Sequence, residues 1–73
     1  MRYYYEFKYR NGNINGGHNL EKITIQDDIV VLKGVDIIPT YYDDERHYWG
    51  ININMNEIEY LKIEPMRGNI IDD

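Results

Sequence analysis

The sequence predicts an all-β fold: a small antiparallel five-stranded meander, curled into a partly open SH3-like or Sm-like barrel. Three observations predict it. Apolar and polar residues alternate cleanly in two stretches, residues 2–10 and 46–55, and alternation is the signature of a half-buried strand. Ala and Ser are absent while Ile, Asn and Tyr are abundant, which removes the best helix former and favours pleated structure. Clusters of Gly, Asn and Asp punctuate the chain where turns are needed. A single curved sheet packed in a homodimer is the alternative way for so short a meander to hide its apolar face.

Strands are expected at 2–10, 20–26, 29–38, 46–55 and 58–64. In the first, Tyr3, Tyr5, Phe7 and Tyr9 share one face and Tyr4, Glu6, Lys8 and Arg10 the other. That aromatic face could stack bases, but a strand must bury one face, and core packing explains it better. Residues 11–19, NGNINGGHN, read as a flexible connection in which Asn11-Gly12 can close a tight hairpin and His18 is a surface residue. The loop matches no phosphate-binding pattern: G-x-x-x-x-G-K-[ST] and G-x-G-x-x-G are both missing, and no helix follows.

Ile23 and Ile25 are expected to point inward from the second strand, and Asp27-Asp28 to turn the chain into the third. Gly34 marks a bulge or sharp bend there, and Pro39 ends the segment. Residues 40–47, TYYDDERH, read as the most polar loop. The run from 46 to 65 is expected to be a hairpin at the structural centre, with His47, Trp49, Ile51, Ile53 and Met55 on one face. Its second arm spaces Ile58, Leu61 and Ile63 by three and then two, which suggests a turn or bulge feeding a strand. Residues 1–66 thus form a single small β domain, and 67–73 an acidic, frayed tail.

A 73-residue chain without Cys has neither a disulfide framework nor a Cys-based zinc site to supplement a small core. A homo-oligomer would bury more apolar surface. No apolar run reaches the roughly 18 residues of a membrane span and no signal-peptide core is visible, so no membrane partner is expected and the cytoplasm is the expected location. The net charge is −5, unevenly divided: residues 1–26 sum to +2 and residues 27–73 to −7. Direct nucleic-acid binding therefore starts against phosphate repulsion, whereas a basic protein partner is attracted.

Nucleophilic catalysis by Ser or Cys is impossible, because neither residue occurs. His18 and His47 lack the spacing of a helical zinc pair, and Asp43, Asp44, Glu45 and His47 lack the ligand pattern of a calcium loop. Glu57 and Glu59 offer a carboxylate pair for sugar chemistry only in a fold with a deep cleft, which a domain of this size does not supply. The chain is expected not to be an enzyme and to use no cofactor or metal.

The denser constellation is aromatic plus acidic: Tyr41, Tyr42, Asp43, Asp44, Glu45 and Tyr48, with Trp49 placed by its phase in the core. Tyr is enriched where proteins bind one another, and acids steer a basic partner. These residues are the expected partner-binding set of a small acidic protein-binding module. Its profile is that of phage or mobile-element proteins that block a host defence factor, some by imitating the charge of nucleic acid. The alternative is an oligomeric small-ligand binder, with Tyr4, Arg10, Asn11, Gly16 and Gly17 taking a nucleotide-like ligand. A structural subunit of a larger assembly is a third reading.

Overall fold

A computed structural model describes residues 2–67. It contains β1 (Tyr3–Tyr9), β2 (Ile14–Gln26), β3 (Ile29–Pro39), β4 (Asp44–Asn54), a 3₁₀ turn (Met55–Glu57) and β5 (Ile58–Pro65). The strands form one antiparallel sheet in the order β4-β3-β2-β1-β5. The sheet bends because β2 changes partner part-way. Residues 14–20 of β2 pair with β1, and residues 20–26 pair with β3. The change falls at a bulge beside Asn19, whose φ of 64° is a left-handed conformation that Asn tolerates.

All five strands supply the core: Phe7, Leu20, Val30, Leu32, Ile53 and Ile58 are buried together. Tyr3, Tyr5 and Tyr9 pack on that cluster, as the alternation in β1 predicts. Burying a side chain of this kind is worth about 1.5–3 kcal/mol, so these few residues carry much of a small domain's stability. Because β4 and β5 are the two ends of the strand order, the barrel is partly open.

Four expectations need correction. The central hairpin over residues 46–65 does not form, since β5 crosses the barrel to lie beside β1 and not beside β4. The 3₁₀ turn redirects the chain, capped by the Asn54 side chain, which accepts from Asn56 N–H at 2.9 Å. The irregular spacing in β5 does mark a bulge, because its register slips between Tyr9↔Ile58 and Lys8↔Tyr60. Residues 11–19 are not a flexible loop: only the turn around Asn11-Gly12 lies outside the strands, with Gly12 at φ 101°, and β2 starts at Ile14. Gly16 and Gly17 sit directly opposite Glu6 and Tyr5 of β1, whose ladder enforces the extended form that their own propensity does not.

The third correction concerns Ile23 and Ile25. Register puts them opposite Leu32 and Val30, yet they are 39% and 63% exposed. Beyond Leu20, β2 has lost β1 as a neighbour and is itself an edge. Finally, β4 starts two residues before the expected 46, with Asp44 and Glu45 drawn into the ladder by β3, so the polar loop shrinks to residues 40–43. The acidic tail lies outside the described residues from position 68 onward.

On the outer face of β1, Tyr60 Oη donates to Glu6 Oε2 at 2.6 Å. That bond first, then desolvation and the charges of Glu6 and Glu59, raise the Tyr60 pKa above its ordinary 10.0. Tyr5 is also raised, by burial and then by the charge of Asp36. A raised folded pKa favours the neutral phenol, so this stabilisation is complete below the ordinary value and is lost as pH climbs through the folded one. The melting temperature is expected to fall above pH 10, and to fall less in Tyr60→Phe, where only the Tyr5 contribution remains. Identical pH profiles for wild type and Tyr60→Phe would rule out the bond to Glu6 as a source of stability.

Candidate functional site

The longest ladder in the fold builds an arm. β3 and β4 pair from Ile29↔Asn54 to Pro39↔Asp44, whereas β2 reaches only Gly34 on β3. Residues 35–39 and 44–48 therefore continue without β2 beside them as a two-stranded extension, anchored at its base by the buried Val35, in a molecule measuring 43 × 23 × 22 Å. Its tip is tied by local hydrogen bonds. Thr40 N–H donates to Asp43 O at 3.0 Å, and the Thr40 hydroxyl donates to the same oxygen. Asp44 N–H in turn donates to Asp43 Oδ1 at 2.8 Å. A Thr and an Asp at the ends of a short loop satisfy its backbone in this way.

Tyr41 and Tyr42 stand at the tip, each 91% exposed, with their rings edge to face at 4.9 Å. Tyr48 is 76% exposed on the strand behind them, opposite Val35. Asp43, Asp44 and Glu45 are exposed, and Glu45 Oε1 meets His47 Nε2 at 3.0 Å because residues two apart share a strand face. All six residues of the expected partner-binding set thus lie on the arm. Trp49 stays with the body, its ring 5.5 Å from that of Tyr5.

Of the remaining acids of residues 27–67, Asp36 sits at the base of the arm, opposite His47, and the others do not join this group. Asp27 and Asp28 lie at the far end of β3, roughly 33 Å away at the usual rise per strand residue. Asp28 there accepts from the Asn56 side chain at 3.3 Å. Glu57 and Glu59 belong to the 3₁₀ turn and β5, where Glu59 lies 3.9 Å from Lys8 Nζ. The negative charge is therefore split between separate ends of the fold. Among the described residues, no three His, Asp or Glu side chains are placed to hold a metal ion.

The alternative ligand-binding residues fall into two grooves. Arg10 and Asn11 line one with Tyr9, Asn13, Asn56 and Glu57, where Arg10 Nε already donates to Asn56 O at 3.0 Å. Tyr4, Gly16 and Gly17 line another, of about 260 Å³, with Glu6, Lys62 and Glu64 in its walls. A phosphate would meet a carboxylate in either place.

A third groove was invisible to sequence reasoning. It holds about 280 Å³ and is lined by Tyr5, Gly17, His18, Asp36, Trp49 and Ile51. The one available signal was Asp36, the lone carboxylate of the strand VVLKGVDIIP, whose only other charged residue is Lys33.

Comparison with protein-family models, curated proteins and solved structures yields no match for this chain. No helix among the described residues is long and apolar enough to cross a membrane.

Proposed function

We propose that this chain is a non-enzymatic protein-binding module that presents the β3–β4 arm to a partner with a basic surface. One observation carries this reading: Tyr41, Tyr42 and Tyr48 are held out in solvent beside Asp43, Asp44 and Glu45 on a tied, projecting arm. Exposed Tyr side chains bring large contact area at little rotamer cost, and the carboxylates attract and orient Lys and Arg on the approaching surface. An arm of this charge seated on a surface built for phosphate would block it. That makes the module an inhibitor of a nucleic-acid-handling protein, of the sort phages and mobile elements direct at host defence. Any imitation of nucleic acid is confined to the arm, because the other acids lie elsewhere.

The test is native mass spectrometry of the chain isolated gently from its source cell, followed by affinity measurements with the co-purified polypeptide. Asp43→Lys combined with Asp44→Lys is expected to weaken that complex by tenfold or more and to flatten its dependence on salt. Equal affinity in the double variant would remove the arm from the interface. A homo-oligomer carrying a few hundred daltons per subunit, with no polypeptide, would favour the small-ligand binder instead.

A further inference from the structure

The groove floored by Tyr5 and Trp49 has no part in the arm's tip, yet it adjoins the arm's base. We infer that it is a receptor for a single arginine side chain of the basic partner, stacked on the aromatic floor and paired with Asp36. The inference rests on the protein-binding reading and adds to it the residue that the partner must offer.

Three backbone features shape the groove. Gly34 lets the Trp49 ring lie flat on β3, since a Cβ there would stand 2.6 Å from Trp49 Cε2. Gly17 makes room for Tyr5, whose hydroxyl would be 2.7 Å from a Cβ at that position. The bulge at Asn19 brings its side-chain amide to Asp36 Oδ1, at 3.3 Å, and so holds the carboxylate at the rim. The Tyr5 and Trp49 rings meet at 5.5 Å and 40°, forming a half-buried aromatic floor with Ile51 as a wall.

The chemistry of these groups selects the occupant. Aromatic faces attract cations, and a carboxylate beside them completes the attraction with a charge-assisted hydrogen bond. Asp36 has no ion-pair partner among the described residues, where the bridges join Arg2 to Glu21, Lys8 to Glu59 and His47 to Glu45. An anion would be repelled by Asp36. At about 280 Å³ the groove lies just below the usual range of small-molecule pockets, roughly 300–1,000 Å³, and suits one long side chain. Guanidinium fits better than ammonium because it is planar, stacks on rings and can pair with both carboxylate oxygens. The Tyr5 phenol is pushed above its ordinary value by burial first and then by the charge of Asp36, in keeping with the carboxylate's place beside the floor.

Trp49 is the only tryptophan in the chain, so its emission reports on this groove directly. The experiment titrates the full chain with a capped hexa-arginine peptide, reading Trp49 fluorescence and isothermal calorimetry together, with hexalysine and hexaglutamate for comparison. The expected result is a saturable emission change with hexa-arginine, weaker by several-fold with hexalysine and absent with hexaglutamate. Asp36→Asn, a near-isosteric change on an exposed strand position, is expected to weaken it about tenfold, the effect of losing one hydrogen bond to a charged partner. The double change of Asp43 and Asp44 to Lys is expected to leave the emission response saturable. Calorimetric binding with silent Trp49, or an unchanged constant in Asp36→Asn, would overturn the groove while leaving the arm as a basic-partner surface. Equal hexalysine affinity would overturn the choice of arginine. Absence of hexa-arginine binding by either readout would overturn the groove as well, and the arm would then be judged by its own native partner.

Discussion

Gly34→Ala is expected to lower stability by about 3 kcal/mol or more, at the upper end of what overpacking a protein interior costs. Gly34 is buried, and a methyl group there would overlap the Asn19 carbonyl oxygen and Trp49 Cζ2. Neither neighbour can yield cheaply. The Asn19 oxygen is backbone, fixed at the bulge where β2 passes from β1 to β3, and Trp49 is wedged against Tyr5. A chain of 73 residues has a total stability of about 4–11 kcal/mol at the usual 0.05–0.15 kcal/mol per residue, so the loss is a large fraction of the whole. Gly50→Ala is the matched control. Its Cβ meets nothing closer than Leu32 O at 3.7 Å, and the expected change is within about 0.5 kcal/mol. Urea unfolding followed by Trp49 emission measures both. A Gly34→Ala midpoint equal to that of Gly50→Ala would mean that β2 and the Trp49 ring do not meet over β3.

The same glycine shows what was readable in the sequence. Its place inside an apolar run signalled a local irregularity, and the reason proves to be close approach by two neighbours. The aromatic face of β1 was legible because a two-residue period leaves no other arrangement with Tyr3, Tyr5, Phe7 and Tyr9 together. The bulge in β5 was legible from the spacing of Ile58, Leu61 and Ile63. Its partner was not, because a strand's own residues say which face is apolar and not which edge it will join. Residues 14–19 and 44–45 were missed for a related reason: Gly, Asn, Asp and Glu are poor strand formers alone, and the ladders to β1 and β3 override them. In the candidate site, adjacency of Tyr41 and Tyr42 required at least one to be exposed, and both are. The groove was hidden because Trp49 and Asp36 meet across the β3–β4 ladder, and Tyr5 of β1 reaches them only through the bend in β2.

That bend makes Leu20 the residue whose truncation should cost most among the core aliphatics. Leu20 is fully buried, opposite Tyr3 on one side and Gly34 on the other, so it belongs to both halves of the sheet. Leu20→Ala is expected to destabilise by about 3–5 kcal/mol, the upper part of the range for buried Leu, because neighbours pinned by two ladders cannot collapse into the cavity. Ile25→Ala removes more atoms from solvent contact than from the core, being 63% exposed, and should cost about 1 kcal/mol or less. The mode of unfolding is as informative as the size of the effect. Because Phe7, Val30, Leu32, Ile53 and Ile58 also join the halves, loss of Leu20 should lower the midpoint while Trp49 emission, which reports β4 and β3, still changes together with far-ultraviolet circular dichroism. Separation of the two signals in Leu20→Ala would show instead that the β1–β5 half melts apart from the β3–β4 half, with the arm able to persist on a partly unfolded body. Coincident transitions would mean that the arm and its Trp49 groove exist only when the whole barrel does, so that any variant weakening the core weakens partner binding in proportion to the unfolded fraction.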